Sequence, residues 1–444
     1  MKILKFGGTS VGSAERMRAV ASLIYSDEPK IVVLSAMSGT TNALVQISEK
    51  LYQNNNQEAK ALIDALHDKY KQVVEDFYTS ADIKKKAHEL INNHFDSLRS
   101  FTLDLFTIHE ERAVLAQGEL LSTALFQFYL EEQGIPSVLL AALNFMKIDE
   151  NEEPDQAYIA KNLKTELAKY PDAKLFITQG YICRNAFGEI DNLKRGGSDY
   201  SASLIGAAAD AVEIQIWTDI DGMHNNDPRI VKNTYPIAEL SFDEAAELAY
   251  FGAKILHPSS VQPAKQKNIP VRLLNTMQPD AKGTIITSQS KGGSIKAVAA
   301  KDNITAIKIK SGRMLLAYGF LRSVFEVFER YKTPIDMITT SEVAVSITID
   351  NPKFLSEIVT ELKEFGQVEV DTDQSIICVV GDFIAERSGS GLKIFEALKA
   401  IPLRMISYGG SKNNISLLIN TSDKVEALTR LNDGIFERNN GEQA

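Results

Sequence analysis

The sequence predicts an α/β protein with a largely parallel sheet, followed from about residue 285 by two copies of a smaller strand-and-helix module. Three observations predict it: short unbroken apolar runs, helical periodicity between those runs, and an internal echo in the tail.

Ile3 to Phe6 and Ile31 to Leu34 are short apolar runs, and Leu175 to Thr178, Glu213 to Thr218 and Val271 to Leu274 are further strand candidates. Runs of this length without polar alternation read as strands buried on both faces, the habit of parallel sheets. Helical stretches lie between them, around residues 59 to 77, 110 to 131, 200 to 209 and 241 to 250. Strand and helix in alternation indicate an α/β domain. The first unit shows the grammar in full. After Gly7-Gly8-Thr9-Ser10-Val11-Gly12 come Met17, Val20, Ala21 and Ile24 at helical spacing, with Ser13 placed to cap the helix. The second run leads into Ser35-Ala36-Met37-Ser38-Gly39-Thr40-Thr41-Asn42, and Ala43, Leu44 and Ile47 begin the next helical pattern.

In the tail, Ser288 to Ser294 has the composition of a linker. Beyond it, Pro334-Ile-Asp-Met337-Ile338 is echoed 68 residues later by Pro402-Leu-Arg-Met405-Ile406, and Ser346 to Ile349 is echoed 70 residues later by Ser416 to Ile419. A helical pattern precedes each echo, at Phe325 to Tyr331 and Lys393 to Ala400. Two copies are too few for a solenoid and point to a paired sensor or dimerisation unit.

Composition narrows the function classes. With 444 residues, 44% hydrophobic and 24% charged, the chain is an ordinary multidomain globular protein. Its formal charge of −10 argues against non-specific nucleic-acid binding, which needs clustered lysine and arginine. Cys183 and Cys378 are too few and too far apart for a disulfide framework or a zinc site. No signal peptide and no run of membrane-spanning length is present, so the expected location is the cytoplasm, without a membrane partner.

Ligands of such sheets sit beyond the carboxyl ends of the strands, where loop amides and helix N-termini point outward. The loop Gly7 to Gly12 has that placement, and Lys5 would add a positive charge beside a transferring phosphoryl group. The same residues also fit a tight turn with a surface lysine, and the spacing is neither that of the P-loop nor that of the dinucleotide fingerprint. Leu193-Lys194-Arg195-Gly196-Gly197-Ser198-Asp199 is a second loop at a helix start. Arg195 offers a fork of donors suited to a carboxylate, and Asp199 is placed to orient Lys5 or hold an ammonium group. Glu119 lies in a strongly apolar helix, Ala113 to Leu130, where a carboxylate needs a cationic partner. A structural Arg or Lys would serve, and so would the amino group of a substrate. Thr218-Asp219-Ile220-Asp221-Gly222 ends a strand, Asn226-Asp227-Pro228-Arg229 is a turn, and Phe251-Gly252-Ala253-Lys254-Ile255-Leu256-His257-Pro258 brings a second lysine. A solvated Lys254 and a hydrogen-bonded His257 are the plain expectation for these last two.

Taken together, Lys5 to Val11, Gln117-Gly-Glu119, Arg195 to Asp199, Thr218 to Gly222, Asp227-Pro-Arg229 and Phe251 to Pro258 resemble aspartate kinase in order and spacing, over essentially the whole chain. The stretch Ile338-Thr-Thr-Ser-Glu-Val343 looks like the lysine-sensitive, single-function branch. The resemblance implies an amino acid kinase (carbamate kinase-like) fold over residues 1–287 and two α+β ACT modules at 296–372 and 373–440, with strand exchange between them an option. It implies ATP-dependent phosphorylation of the side-chain carboxylate of L-aspartate to 4-phospho-L-aspartate, the first step toward lysine, threonine and methionine.

Carried over residue by residue, the pattern makes Lys5 and Asp199 catalytic. Ser35, Thr41, Glu119 and Arg195 would bind aspartate. Lys5, Gly7, Gly8, Thr218, Asp219, His224, Arg229, Lys254 and Ile255 would face ATP, with magnesium bound through the nucleotide phosphates. Met314, Gly319, Phe320, Leu321, Asp336, Thr340, Ser341 and Glu342 would meet a lysine effector, in a homodimer or tetramer joined through the ACT modules. Three positions depart from the family pattern: His224 stands where tyrosine is common, Lys194 where glycine is frequent, and Ala317 where serine is usual in the effector loop. The polar end at Ala444 argues against a fused homoserine dehydrogenase. The rival readings are an amino acid kinase acting on glutamate derivatives or nucleoside monophosphates, and a non-catalytic amino-acid sensor. The tandem tail and the Glu119 and Arg195 pair speak against the first, and the presence of Lys5, Arg195 and Asp199 speaks against the second.

Overall fold

In the computed structural model, residues 1–194, 196–252, 256–289, 295–312, 318–381 and 388–437 are described. They divide into two units. The first comprises Met1–Met223, Ala238–Phe242 and Leu256–Ser288, and the second His224–Ile237, Asp243–Ile255 and Gln289–Ala444. Two stretches within the first 287 residues therefore pack with the tail.

From the N-terminus run β1 (Lys2–Phe6), α1 (Ala14–Ile24), β2 (Lys30–Leu34), α2 (Thr40–Tyr52), α3 (Asn56–Phe77), α4 (Ala81–Ser100) and α5 (Ile108–Glu132). Next come β3 (Val138–Leu140), α6 (Gln156–Ala168), β4 (Leu175–Gln179), a hairpin of β5 (Ile182–Arg184) and β6 (Ile190–Asn192), α7 (Gly197–Ala208) and β7 (Glu213–Thr218). β8 (Glu239–Ser241), α8 (Phe242–Tyr250), α9 (Gln262–Lys267), β9 (Val271–Asn275) and β10 (Thr284–Thr287) follow.

Among the described residues of the first unit, one eight-stranded sheet has the order β3-β4-β2-β1-β7-β9-β10-β8. All its pairings are parallel except β9 with β10. Strand β1 is flanked by β2 on one side and β7 on the other, with Phe6 opposite both Leu34 and Trp217. The loops leaving these three strands consequently emerge at one level, at the point where the strand order reverses. The strands are buried as their apolar runs predict: every residue of β2 and β4 is buried.

Ser13 caps α1 by accepting the Arg16 N–H, and Met17, Val20, Ala21 and Ile24 are its buried face. Helix α4 is among the elements that the sequence pattern does not reveal. Its buried residues Ile83, Ala87, Ile91, Phe95 and Leu98 keep helical spacing, but Lys84-Lys85-Lys86 and the polar residues around them dilute the pattern. Helices α1 to α5 share one core with Leu4, Phe6, Val32 and Leu34 of the central strands. No described helix is long and apolar enough to cross a membrane.

The tail of the second unit continues with β11 (Ile295–Lys310), α10 (Phe320–Arg330), β12 (Ile338–Thr340), β13 (Ala344–Ile349), α11 (Leu355–Leu362), β14 (Gln367–Gly381), α12 (Ser390–Ala397), β15 (Met405–Tyr408), β16 (Asn414–Asn420) and α13 (Lys424–Leu431). They form a six-stranded sheet of order β12-β13-β11-β14-β16-β15, so the echoed segments occupy mirrored places at its two ends. Two long strands make the middle, and each changes role at a register shift between Lys301 and Ile304. The first half of β11 pairs only with the second half of β14, which carries β16. The second half of β11 carries β13 and pairs with the first half of β14. Two separate cores result. Ile307, Ile309, Val324, Phe328, Val345 and Ile347 build one, and Val298, Ile377, Val379, Ile394, Leu417 and Leu428 belong to the other.

Candidate active site

Four of the side chains singled out in the sequence meet above the carboxyl ends of β1 and β2. Lys5, on β1 and only 9% exposed, points its ammonium at Asp199 in the first turn of α7, 2.7 Å away. Ser35, at the end of β2, donates to Ser198 Oγ at 2.9 Å, and its carbonyl accepts from Ser122 Oγ on α5 at 2.8 Å. The next residue, Ala36, donates its N–H to Glu119 Oε1 at 3.1 Å. The β2 loop is thus held between α5 and α7.

The local sequence explains these approaches. A Cβ at Gly118 would lie 2.7 Å from Ala36 Cβ, so glycine lets α5 come close enough for Glu119 to reach the Ala36 amide. Gly196 precedes α7 with φ of 71°, a left-handed conformation, and a Cβ there would lie 2.9 Å from that of Ser260. The second half of the Arg-Gly-Gly-Ser-Asp segment therefore turns sharply into the helix that carries Asp199.

Glu119 is 4% exposed, and its Oε2 has no hydrogen-bond partner. Burial drives its pKa up to about 8, against the pull of the Ala36 amide and of the Lys5 charge. The cationic side-chain partner that its apolar helix demands is absent among the described residues. An unsatisfied buried carboxyl of this kind costs on the order of several kcal/mol to ionise, a cost that a neighbouring cation would offset.

The glycine loop closes on itself through Ser10 N–H to Gly7 O (2.9 Å) and Val11 N–H to Gly7 O (3.2 Å). Gly7 N–H donates to Trp217 O on β7, and Phe6 stacks on Trp217 with centroids 5.7 Å apart. Thr218 ends β7, donates to the Asp219 carboxylate at 3.1 Å, and lies one residue beyond the Phe6 and Trp217 pair. Thr41 is exposed in the first turn of α2, which Gly39 caps with φ of 80°. Beside it Thr40 is buried and bonded to Tyr70 OH on α3, at 3.0 Å.

Other predicted residues belong to the second unit or lie outside the described residues. His224 and Arg229 belong to the second unit. There His224 Nδ1 meets Thr234 Oγ1 at 3.0 Å, and Arg229 is exposed and forked onto Asp227, at 2.9 and 2.7 Å. Arg195, Lys254, Ile255, Met314 and Ala317 lie outside the described residues. His257 Nδ1 accepts the Ser259 N–H at 3.2 Å and opens a short turn. In the tail, Gly319 caps α10, and Phe320 and Leu321 form its first turn. Thr340 ends β12, and Ser341 and exposed Glu342 make the turn into β13. The Asp336 side chain is buried: its Oδ1 accepts from Tyr250 OH at 2.8 Å and from Lys301 Nζ at 2.7 Å, while Oδ2 has no partner. Lys301 also meets Asp350 at 2.9 Å and lies 4.4 Å above the Tyr250 ring.

Sequence reasoning overlooks the Ala36 amide, because backbone donors carry no residue identity. It also overlooks Ser122, which looks like one more small residue in an apolar helix. Ser198, inside the Arg-Gly-Gly-Ser-Asp motif, was within view.

Comparison with known proteins shows the family. Residues 1–275 match the amino acid kinase family, and residues 377–434 match the ACT domain. The chain is 32% identical to the lysine-sensitive aspartokinase 3 of Escherichia coli over 98% of its own length and 99% of that protein's. It is 35% identical to the chloroplastic aspartokinase 3 of Arabidopsis thaliana, over 98% and 81%. Crystal structures of E. coli aspartokinase III superpose with TM-scores of 0.84, in complex with aspartate and ADP, and 0.82, in complex with lysine and aspartate. Each pairing has 32% identity and covers 98% of this chain, with 100% and 99% of the other. The chain belongs to the aspartokinases of the amino acid kinase family.

Proposed function

We propose that the cleft above β1 and β2 transfers the terminal phosphoryl group of ATP to the side-chain carboxylate of L-aspartate. The observation that carries the reading is the buried, half-unpartnered Glu119 carboxyl beside the Lys5–Asp199 pair: one seat for an ammonium, one cation for a phosphoryl group.

The roles follow from charge. Glu119 Oε2 receives the α-ammonium of aspartate, and Arg195 grips the α-carboxylate. Ser35 and Thr41 orient the side-chain carboxylate. A carboxylate oxygen attacks the γ-phosphorus, the bond from phosphorus to the β,γ-bridging oxygen breaks, and ADP departs with the electron pair. No proton needs to be removed from the nucleophile, because a carboxylate is already ionised. The residues therefore position the reactants and neutralise charge, and Lys5, steadied by Asp199, stabilises the moving phosphoryl. Gly7, Gly8, Thr218 and Asp219 bound the nucleotide side.

Magnesium enters as part of the nucleotide substrate and supplies charge neutralisation on the phosphates. No group of three or more His, Cys, Asp or Glu among the described residues forms a ready metal cage, and magnesium on nucleotides uses one or two carboxylates at most.

Lysine is the effector we assign to the tail, with Asp336 facing its ammonium group and Gly319, Phe320, Leu321, Thr340, Ser341 and Glu342 around it. Inhibition then requires different lysine affinities in two arrangements of a homo-oligomer joined through the ACT modules. Free, buried Cys183 and Cys378 suit a reducing cytoplasm.

Purified protein should release ADP only when aspartate is present, and lysine should lower that rate. Lys5→Ala should reduce kcat by about a hundredfold or more in a protein that still folds. Near-normal turnover in that variant would remove Lys5 from the chemistry.

A further inference from the structure

Two segments on the nucleotide side, the glycine loop after β1 and Thr218-Asp219 at the end of β7, share one neighbour. Thr276 directly follows β9 and is buried. Its N–H donates to Thr218 O at 2.8 Å, and its hydroxyl shares a hydrogen bond of 2.7 Å with Ser10 Oγ. Ser10 Oγ also lies 3.5 Å from Trp217 O, the carbonyl that accepts the Gly7 N–H at 3.2 Å. A single threonine thus joins the end of β9 to both segments.

We infer that Thr276 is a positioning residue for the nucleotide: through Ser10 it fixes the glycine loop relative to Thr218 and Asp219, and thereby sets the affinity for ATP. The inference rests on the nucleotide side proposed above. Gly7, Gly8 and Thr9 are half-buried, whereas Ser10 and Val11 are fully buried. Ser10 is closed off from solvent, so it acts through the loop rather than on a ligand. Val11 enters the core shared by helices α1 to α5. On the opposite side the loop leans on the segment after β2: a Cβ at Gly8 would lie 3.0 Å from Ala36 O, and one at Gly12 would lie 3.0 Å from Ser38 Cβ. The glycine loop is therefore seated between that segment and Thr276.

The turn that presents Thr276 is itself fixed. Asn275 pairs with Thr218 in the ladder between β7 and β9. Its side-chain Oδ1 accepts the Met277 N–H at 2.8 Å, and its carbonyl accepts the Gln278 N–H at 3.2 Å. Both hydroxyls of the Ser10–Thr276 pair are removed from water, so deleting one leaves the other without a short partner. Transfer to a carboxylate has no proton to remove and depends on placement, so a loop released at Ser10 loses hold on the phosphates.

Steady-state kinetics of the full chain with ATP and aspartate varied separately, together with calorimetric titration of ADP, test this. Thr276→Val keeps the side chain's shape and the N–H to Thr218 and removes only the hydroxyl. It should raise KM for ATP and Kd for ADP about fivefold, with KM for aspartate within about twofold of the parent. Thr276→Ser restores the hydroxyl and should return both nucleotide constants to within about twofold. Ser10→Ala should match Thr276→Val, and the double variant should exceed either by no more than about twofold, because both changes remove the same bond. An unchanged KM for ATP in Thr276→Val, an equal rise for aspartate, or a Thr276→Ser variant that behaves like Thr276→Val would overturn the proposal. Ser10→Ala decides the matter if Thr276→Val does not fold. Asp219→Ala separates the two layers. If it leaves KM for ATP unaltered, the nucleotide side itself is misassigned. If it changes that constant while Thr276→Val and Ser10→Ala do not, only the positioning role fails.

Discussion

Glu119 ties binding to pH. Burial raises its folded pKa to about 8, whereas the unfolded chain gives up the same proton near 4.5. The stability of the ligand-free protein should therefore fall as pH rises through that window, because the folded state binds the extra proton. Aspartate binding has the opposite trend: an ammonium group needs the ionised carboxylate, so below pH 8 binding must expel a proton. KM for aspartate should fall as pH rises from 6 to 8, by at most about tenfold per unit. Glu119→Gln should bind aspartate weakly and without that slope. Calorimetry in buffers of different ionisation enthalpy should register proton release on aspartate binding near pH 7, and its absence would mean that another group receives the ammonium. At this scale the sequence was legible where a residue conflicted with its surroundings. A glutamate in an apolar helix declares a need, and Lys5 before paired glycines declares a charge. Lys194 declares nothing, since its partner Glu152 comes from a distant part of the chain.

The central strands were readable from their apolar runs, and their observed ends lie within a residue or two of those runs. Helix α4 and the short strands β3, β5 and β6 were not. Strands of three residues carry too little pattern, and the lysine-rich surface of α4 hides its apolar stripe. Another unforeseen connection lies within the second unit, where Tyr250, at the end of α8, donates to Asp336 in the tail. Burial works against the Lys301 charge there, yet Asp336 and Asp350 more than offset it and hold the ammonium above its usual pKa. An effector ammonium arriving at Asp336 must share a carboxylate that already serves Lys301 and Tyr250. Tyr250→Phe frees one acceptor position and keeps the ring beneath Lys301. The lysine concentration for half-inhibition should then drop about fivefold, the factor that corresponds to one hydrogen bond of roughly 1 kcal/mol, with uninhibited turnover unchanged. Inhibition curves of the two proteins that superimpose would remove Asp336 from the effector site.

At the scale of the whole molecule, the echo in the tail becomes the symmetry of the six-stranded sheet. Spacing revealed the repeat but not the way its halves combine, which depends on two long strands that each serve both cores. A division placed near residue 287 likewise cannot foresee that 224–237 and 243–255 pack with the tail, because those contacts join residues far apart in sequence. In the first unit, the reversal of strand order at β1 gathers loops separated by up to about two hundred residues, which is how a lysine, a serine, a glutamate and an aspartate come to share one cleft. That cleft is assigned one product, an acyl phosphate on the aspartate side chain. Trapping with hydroxylamine reads this product directly. Protein incubated with ATP, magnesium and L-aspartate should yield the side-chain aspartyl hydroxamate in step with ADP, and none when aspartate is replaced by glutamate. ADP release without hydroxamate, or equal trapping from glutamate, would contradict the account.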